Sequence, residues 1–202
     1  VRDYMKSKKK LFLIALLGVN MAFEVTASEQ PLQIRSVFNI TSAFCAIRTN
    51  GVLGMDNRNS ALAGRGYGTS STNAMLFLEN GRNDISIDFG AIDWFEDNNI
   101  DKKGVFSPNA SCHLALTAFN NGKTVILQTI DVAVDEKNNP YEKNITKSEI
   151  DKSDVRVEKI KTVQVEEGHF PEEYYNNLDF PKNMYVYNFT KSVKITGIPE
   201  WK

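Results

Sequence analysis

The sequence predicts an all-β protein: an antiparallel β-sandwich, jelly-roll or immunoglobulin-like, behind a cleaved signal peptide. Three observations carry this expectation. Apolar residues alternate with period two in several separate runs, as half-buried strands require. Asn-Gly pairs stand between such runs, where a two-residue hairpin needs positive φ at both positions. No segment after the first 27 residues holds a 3.6-residue apolar stripe for three turns.

The amino terminus reads as an export signal. Lys6, Lys8, Lys9 and Lys10 follow Met5, the apolar run Leu11 to Val19 comes next, and Val25-Thr26-Ala27 puts small residues before a cut at Ser28. That order is the three-part secretory signal, with Met5 as its natural start. The apolar run is far shorter than the roughly 20 residues a spanning helix needs, so no stable membrane anchor is expected. The expected compartment is the periplasm or the outside of the cell. Four Asn-x-Ser/Thr triplets, beginning at Asn39, Asn109, Asn144 and Asn188, are read as incidental to an Asn-rich chain.

Of 202 residues, 42% are hydrophobic and 24% charged, which excludes a disordered or polytopic membrane chain. The formal charge is −1. Residues 1–27 carry five cations against two anions, leaving the remainder at about −4. Nucleic-acid binding needs concentrated Lys and Arg and is not expected.

The first strand spans Leu32 to Ile40, with Leu32, Ile34, Ser36, Phe38 and Ile40 on one face. A second, Phe44 to Thr49, turns at Asn50-Gly51 into a short partner, Val52 to Met55. Asp56 to Asn73 reads as a polar, Gly-rich connection. Ala74 to Leu78 reads as a strand turning through Asn80-Gly81 into Asp84 to Phe89. Cys112 to Phe119 turns at Asn121-Gly122 into Thr124 to Val134, the clearest hairpin in the chain. These runs make residues 28–134 one sandwich domain. Residues 135–154, dense in charge around Pro140, read as a polar loop or linker. Residues 155–202 carry further strands at Val155 to Val165 and Met184 to Ile195, in the same sandwich or a small second unit. A short helix is expected at Pro171 to Leu178. The abrupt stop after Trp201 reads as a truncated frame.

Cys45 and Cys112 are the two cysteines. In an oxidising compartment an even count is most simply a structural disulfide, and closing so long a loop stabilises by about 4 kcal/mol on the chain-entropy model. Cys112 and His113, adjacent on a strand, point to opposite faces and make poor joint ligands.

Catalytic signatures are weak. Only His113 and His169 are available as bases, and no G-x-S-x-G elbow occurs. Asp97, Asn99 and Asp101 have the alternating oxygens of a calcium loop, but Lys102 stands where the loop needs Gly and Pro108 where it needs Glu. Gly64-Arg65-Gly66-Tyr67-Gly68 lacks both the Walker Lys and a helix to receive phosphate, and reads as a mobile loop. No catalytic residue, metal or cofactor is therefore assigned. Trp94, Phe95, Tyr174 and Tyr175 are the expected interface, flanked by Glu166, Glu167, Glu172 and Glu173, whose acidity would favour a basic protein partner. The same tyrosines and glutamates admit a carbohydrate-binding or carbohydrate-active reading, and a structural envelope component is the blandest alternative. Oligomeric state is open.

Leu78-Glu79-Asn80-Gly81-Arg82-Asn83-Asp84-Ile85-Ser86-Ile87 looks like the L-x-x-G-x-N-x-I-x-I hairpin of many jelly-roll and periplasmic β-sandwich modules. With the first strand and the Asn50-Gly51 turn, Leu32 to Phe89 resembles the first half of a sandwich in Gram-negative secreted proteins. Some periplasmic immunity proteins, which neutralise toxins from neighbouring bacteria, are similar. The resemblance implies a sandwich and an interaction role, and transfers no catalytic residue.

Overall fold

The computed structural model describes residues 32–96, 103–144, 155–162, 180–181 and 183–199. The expected signal lies outside them. The strands are β1 (Gln33–Thr41), β2 (Ala43–Thr49), β3 (Val52–Asp56), β4 (Gly68–Asn73), β5 (Gly81–Ala91), β6 (Ser111–Asn120), β7 (Lys123–Val134), β8 (Pro140–Glu142), β9 (Val155–Lys161) and β10 (Tyr185–Ile195). They form two antiparallel five-stranded sheets, β4-β1-β6-β7-β8 and β3-β2-β5-β10-β9. The all-β sandwich expected from the sequence is what the chain forms.

The alternation in β1 sends Ile34, Ser36, Phe38 and Ile40 inward, each 1% exposed. They meet Cys112, Leu114 and Leu116 of β6 and Cys45, Ile47, Ile85, Ile87 and Phe89 of the second sheet in one core. Burying such side chains supplies about 25 cal/mol per Å2 of apolar surface. β2 is buried along its whole length and β5 over most of it. The cause is a second layer on the outer face of sheet two, where the helix α1 (Arg58–Leu62), a short 3-10 turn at Ile92–Phe95 and Phe180 cover Phe44, Ala46 and Val186.

Asn50 and Gly51 have φ of 49° and 78°, and Asn121 and Gly122 have 47° and 75°, so both hairpins turn as expected. The Asn80-Gly81 hairpin does not form. Met75–Phe77 is a 3-10 turn rather than a strand, so β5 has no partner before Gly81. Its neighbours are β2 and β10. The connection from Asp56 to Asn73 also holds more structure than expected, namely α1 and the edge strand β4.

The Gly-rich stretch within that connection is seated on the corner where the chain passes from sheet one to sheet two. Ser42, at φ 48°, makes the corner between β1 and β2. Ala43 donates its N–H to the Gly66 carbonyl at 3.2 Å, and a Cβ on Gly66 would lie 2.5 Å from that same nitrogen. Glycine at 66 is a packing requirement.

Residues 155–161 and 185–195 extend sheet two. β10 pairs along β5 from Tyr187↔Phe89 to Ile195↔Gly81, and β9 pairs along β10. The polar stretch after Val134 contributes β8, which pairs with Val132 to Val134 of β7. The expected strand end at Val163 to Val165 and the helix at Pro171 to Leu178 lie outside the described residues.

Candidate functional site: an aromatic seam at the β9 and β10 flank

Odd-numbered residues of β10 face the interior. Phe189 reaches the core, while Tyr185 and Tyr187 lie towards the end of the sandwich and are half-buried. A line of rings runs outward from the core. Phe89 stacks on Phe106 at 4.9 Å and 4°, and Phe106 meets Tyr187 at 6.0 Å. Tyr187 meets Tyr185 edge-on at 6.0 Å, and Tyr185 meets Trp94 edge-on at 5.2 Å. Edge-to-face pairs of this kind add about 0.5–1.5 kcal/mol each beyond burial.

Trp94 is held by its neighbour Asp93. The Asp93 carboxylate accepts the N–H of Gly104 at 2.9 Å and of Val105 at 2.8 Å, while Lys103 donates to the carbonyls of Asp93 and Glu96. Gly104 sits at φ 90°, and a Cβ there would lie 2.4 Å from Tyr185 Oη and 3.4 Å from Trp94 Cζ2. Only glycine lets this loop close over the rings.

Lys159, opposite Tyr187 in the β9–β10 register, lays its ammonium 3.6 Å from the Tyr185 ring centre and 5.5 Å from that of Tyr187. Trp94 Nε1 is buried without a hydrogen-bond partner among the described residues. The Tyr185 and Tyr187 hydroxyls likewise have no partner among them. The seam thus gathers an indole N–H, two phenols and an ammonium, a set weighted towards donors.

Of the residues singled out from sequence, Trp94 packs against both the core and the outer layer of sheet two, while Phe95 belongs to the outer layer. Trp94 joins the seam. Phe95 packs on Phe44 at 5.6 Å, and Phe180 meets Phe44 edge-on at 5.5 Å with the Arg58 guanidinium 3.8 Å from its ring centre. Both are half-buried and anchored, so neither is a bare surface ring. Tyr174, Tyr175, the four glutamates around them, His169 and the Asp97-to-Asp101 loop lie outside the described residues. His113 is half-buried on the outer face of sheet one, opposite Asp131 and Asn39. No group of three or more His, Cys, Asp or Glu able to hold a metal occurs among the described residues.

Sequence reading missed Tyr185, Tyr187 and Lys159. The signal was present: Tyr185 and Tyr187 share a strand face with Phe189, and an apolar run ending in two tyrosines marks where that face nears water.

Cys45 and Cys112 face each other across the sandwich from β2 and β6, both 0% exposed. They stand as two thiols, near but short of bonding distance, so the expected disulfide is not formed in this structure. Burial pushes the Cys45 thiol well above its ordinary value, with the hydrogen bond and charge of Cys112 adding to it.

A second polar cluster lies on the outer face of sheet two. Arg48 Nε meets Asp88 Oδ2 at 2.8 Å, Asn188 donates to Asp88 Oδ1 at 2.7 Å, and Thr190 donates to Asn188 Oδ1 at 2.7 Å. Each member has a partner, as a structural network should.

No family model, curated protein or solved structure matches this chain. No helix among the described residues is long and apolar enough to cross a membrane.

Proposed function

We propose that this is an exported, non-enzymatic binding protein that engages another protein through the seam of Trp94, Tyr185, Tyr187 and Lys159, in the manner of an immunity-type inhibitor. The mature form carries Cys45 and Cys112 as a disulfide. The observation that carries the binding reading is an exposed ammonium and two phenols, unpaired among the described residues, beside a line of rings. Interfaces use aromatic anchors whose polar tips find partners only in the complex.

The charge at the seam itself favours a different partner from the basic one that the glutamates favour. Both carboxylate oxygens of Asp93 are taken by backbone amides, while Lys159 lies open on the flank. A partner segment bearing carboxylates or free carbonyls fits this set better than a basic one. The sugar reading loses support at these rings, because Lys159 covers Tyr185 and the remaining contacts are edge-on.

The test compares wild type with Lys159→Glu and Tyr187→Phe in affinity capture from periplasmic extract, with thermal unfolding as a check on folding. A protein retained by wild type and lost by folded Lys159→Glu supports the reading. No retained protein, together with glycan-array binding that Tyr187→Phe weakens, replaces it with carbohydrate recognition.

A further inference from the structure

We propose that the Cys45–Cys112 bond can be made only while the chain is folding, and that the finished sandwich locks whichever redox state it closed upon. This rests on the bridged reading given above and adds when the bond forms. Cys45 sits on β2 opposite Phe89 of β5, and Cys112 sits on β6 between Ile40 of β1 and Val132 of β7. All five side chains are at most 1% exposed. The sulfurs meet in the middle of the core, with a sheet behind each.

The chemistry needs more room than this. A thiol pair is oxidised by thiol–disulfide exchange with a disulfide-class oxidant, RSSR. One cysteine, as thiolate, attacks RSSR, forming a mixed disulfide and expelling one RS−. The second cysteine, having lost its proton, attacks the protein sulfur of that mixed disulfide and expels the other RS−. Two protein thiols are oxidised, one RSSR is reduced to two RSH, and the protons pass to the departing thiolates. The intermediate carries the group R on a sulfur that has no exposed surface. Interiors packed to crystal-like density do not admit it without opening the sheets. The attacking species is an anion, which the apolar core disfavours further.

An unfolded chain meets neither obstacle. After exchange there, closure of the two sheets brings the sulfurs together, since the same strands that bury them also align them. A chain that folds under reducing conditions keeps two thiols that no longer respond to an oxidant. A chain that folds in an oxidising compartment keeps a bond that a reductant reaches only by unfolding it.

The test starts from protein refolded and purified under reductant. Oxidised glutathione is added in native buffer and across a urea series, and bond formation is followed by thiol alkylation and intact mass. Oxidation in native buffer should be at least about a thousandfold slower than for the unfolded chain, which is the low end of typical unfolding constants. Its logarithm should rise with urea in parallel with unfolding. A native rate within about tenfold of the unfolded rate, flat in urea, overturns the proposal, since log-linear urea dependence is what unfolding imposes. A separate arm refolds the unfolded chain with oxidised glutathione present. A bridge formed there with native oxidation slow supports both readings, and no bridge there defeats the disulfide itself.

Discussion

Lys191 Nζ lies 2.9 Å from Glu142 Oε1, joining β10 of one sheet to β8 of the other, with their side chains 11% and 3% exposed. Lys191 occupies an inward position of β10, where Phe189 and Val193 are its face neighbours. Glu142 is the last residue of the short strand β8, and its second oxygen accepts the Asn144 N–H at 3.1 Å. This ion pair closes the flank of the sandwich at a place where an apolar pair would be the ordinary choice.

Removing one partner should therefore be costly, while removing both should not. Glu142→Ala leaves an ammonium nearly buried and should cost about 3–5 kcal/mol. Glu142→Leu combined with Lys191→Met should come within about 1 kcal/mol of wild type or exceed it, as buried pairs often do when replaced by apolar side chains. Urea unfolding of the three proteins measures this. A double variant that loses as much as Glu142→Ala, or more, would contradict the expectation that an apolar pair can replace the ion pair.

Asn83 explains the phrase that reads from sequence as a hairpin. Its side chain accepts the Glu79 N–H at 2.8 Å and donates to the carbonyls of Glu79 at 2.8 Å and Gly81 at 3.2 Å. Asn50 donates to the same oxygen at 2.9 Å, which ties the β2–β3 hairpin to the start of β5. Asn83→Ala strands several polar groups in a site 1% exposed and should cost about 3 kcal/mol. Asn83→Asp should cost more, because a carboxylate would face two carbonyls that need a donor. Chemical denaturation of both variants gives the order.

Gly66 and Gly51 offer a contrast between two reasons for glycine. Gly51 has φ 78° with nothing near its missing Cβ, so Gly51→Ala meets only backbone strain, about 1–2 kcal/mol. At Gly66 the added carbon would meet the backbone of Ser42 and Ala43 at the corner between sheets. Gly66→Ala should cost about 3 kcal/mol and displace that corner. Thermal unfolding should rank Gly66→Ala below Gly51→Ala, and the reverse ranking would contradict the corner packing.

How far the sequence could be read follows from which forces are local. The period-two alternation of β1, β6 and β10 and the turns at Asn50-Gly51 and Asn121-Gly122 are local, and they appear where expected. The run Met75-Leu76-Phe77 does not alternate in the structure: Phe77 closes a 3-10 turn on the Ala74 carbonyl at 2.9 Å, and Ala74 itself donates its N–H to the Ile34 carbonyl at 3.0 Å. That second bond reaches a strand 40 residues earlier, whereas Asn73, whose Oδ1 accepts the Met75 N–H at 3.0 Å, is a local turn signal. The seam is similarly non-local. Trp94 was visible as an aromatic residue beside acids, but Tyr185 and Lys159 join it only through the pairing of β9, β10 and the loop at Gly104. Asp93, beside Trp94, accepts two backbone N–H groups, which fix the loop against the rings rather than leave its oxygens open to a partner.

The buried thiols set a pH signature that separates the reduced protein from the bridged one. Burial and the neighbouring Cys112 raise the Cys45 thiol well above its ordinary value. A group whose folded pKa lies above its unfolded one holds its proton longer in the native state. Its stabilising contribution is complete below the unfolded thiol pKa, about 8.5, and is lost as pH rises towards the folded value. Reduced protein should therefore lose stability above about pH 8.5, by up to about 1.4 kcal/mol for each pH unit that Cys45 contributes. Lysines and tyrosines also titrate in this range, so the comparison is with Cys45→Ala. Urea midpoints of the reduced wild type should fall more steeply from about pH 8 to about pH 10 than those of Cys45→Ala, because only the former carries the raised Cys45 thiol. The bridged protein, having no Cys45 thiol to titrate, should lack this component of the fall. Parallel slopes for reduced wild type and Cys45→Ala would mean that Cys45 titrates alike in folded and unfolded chains, contrary to its burial between the sheets.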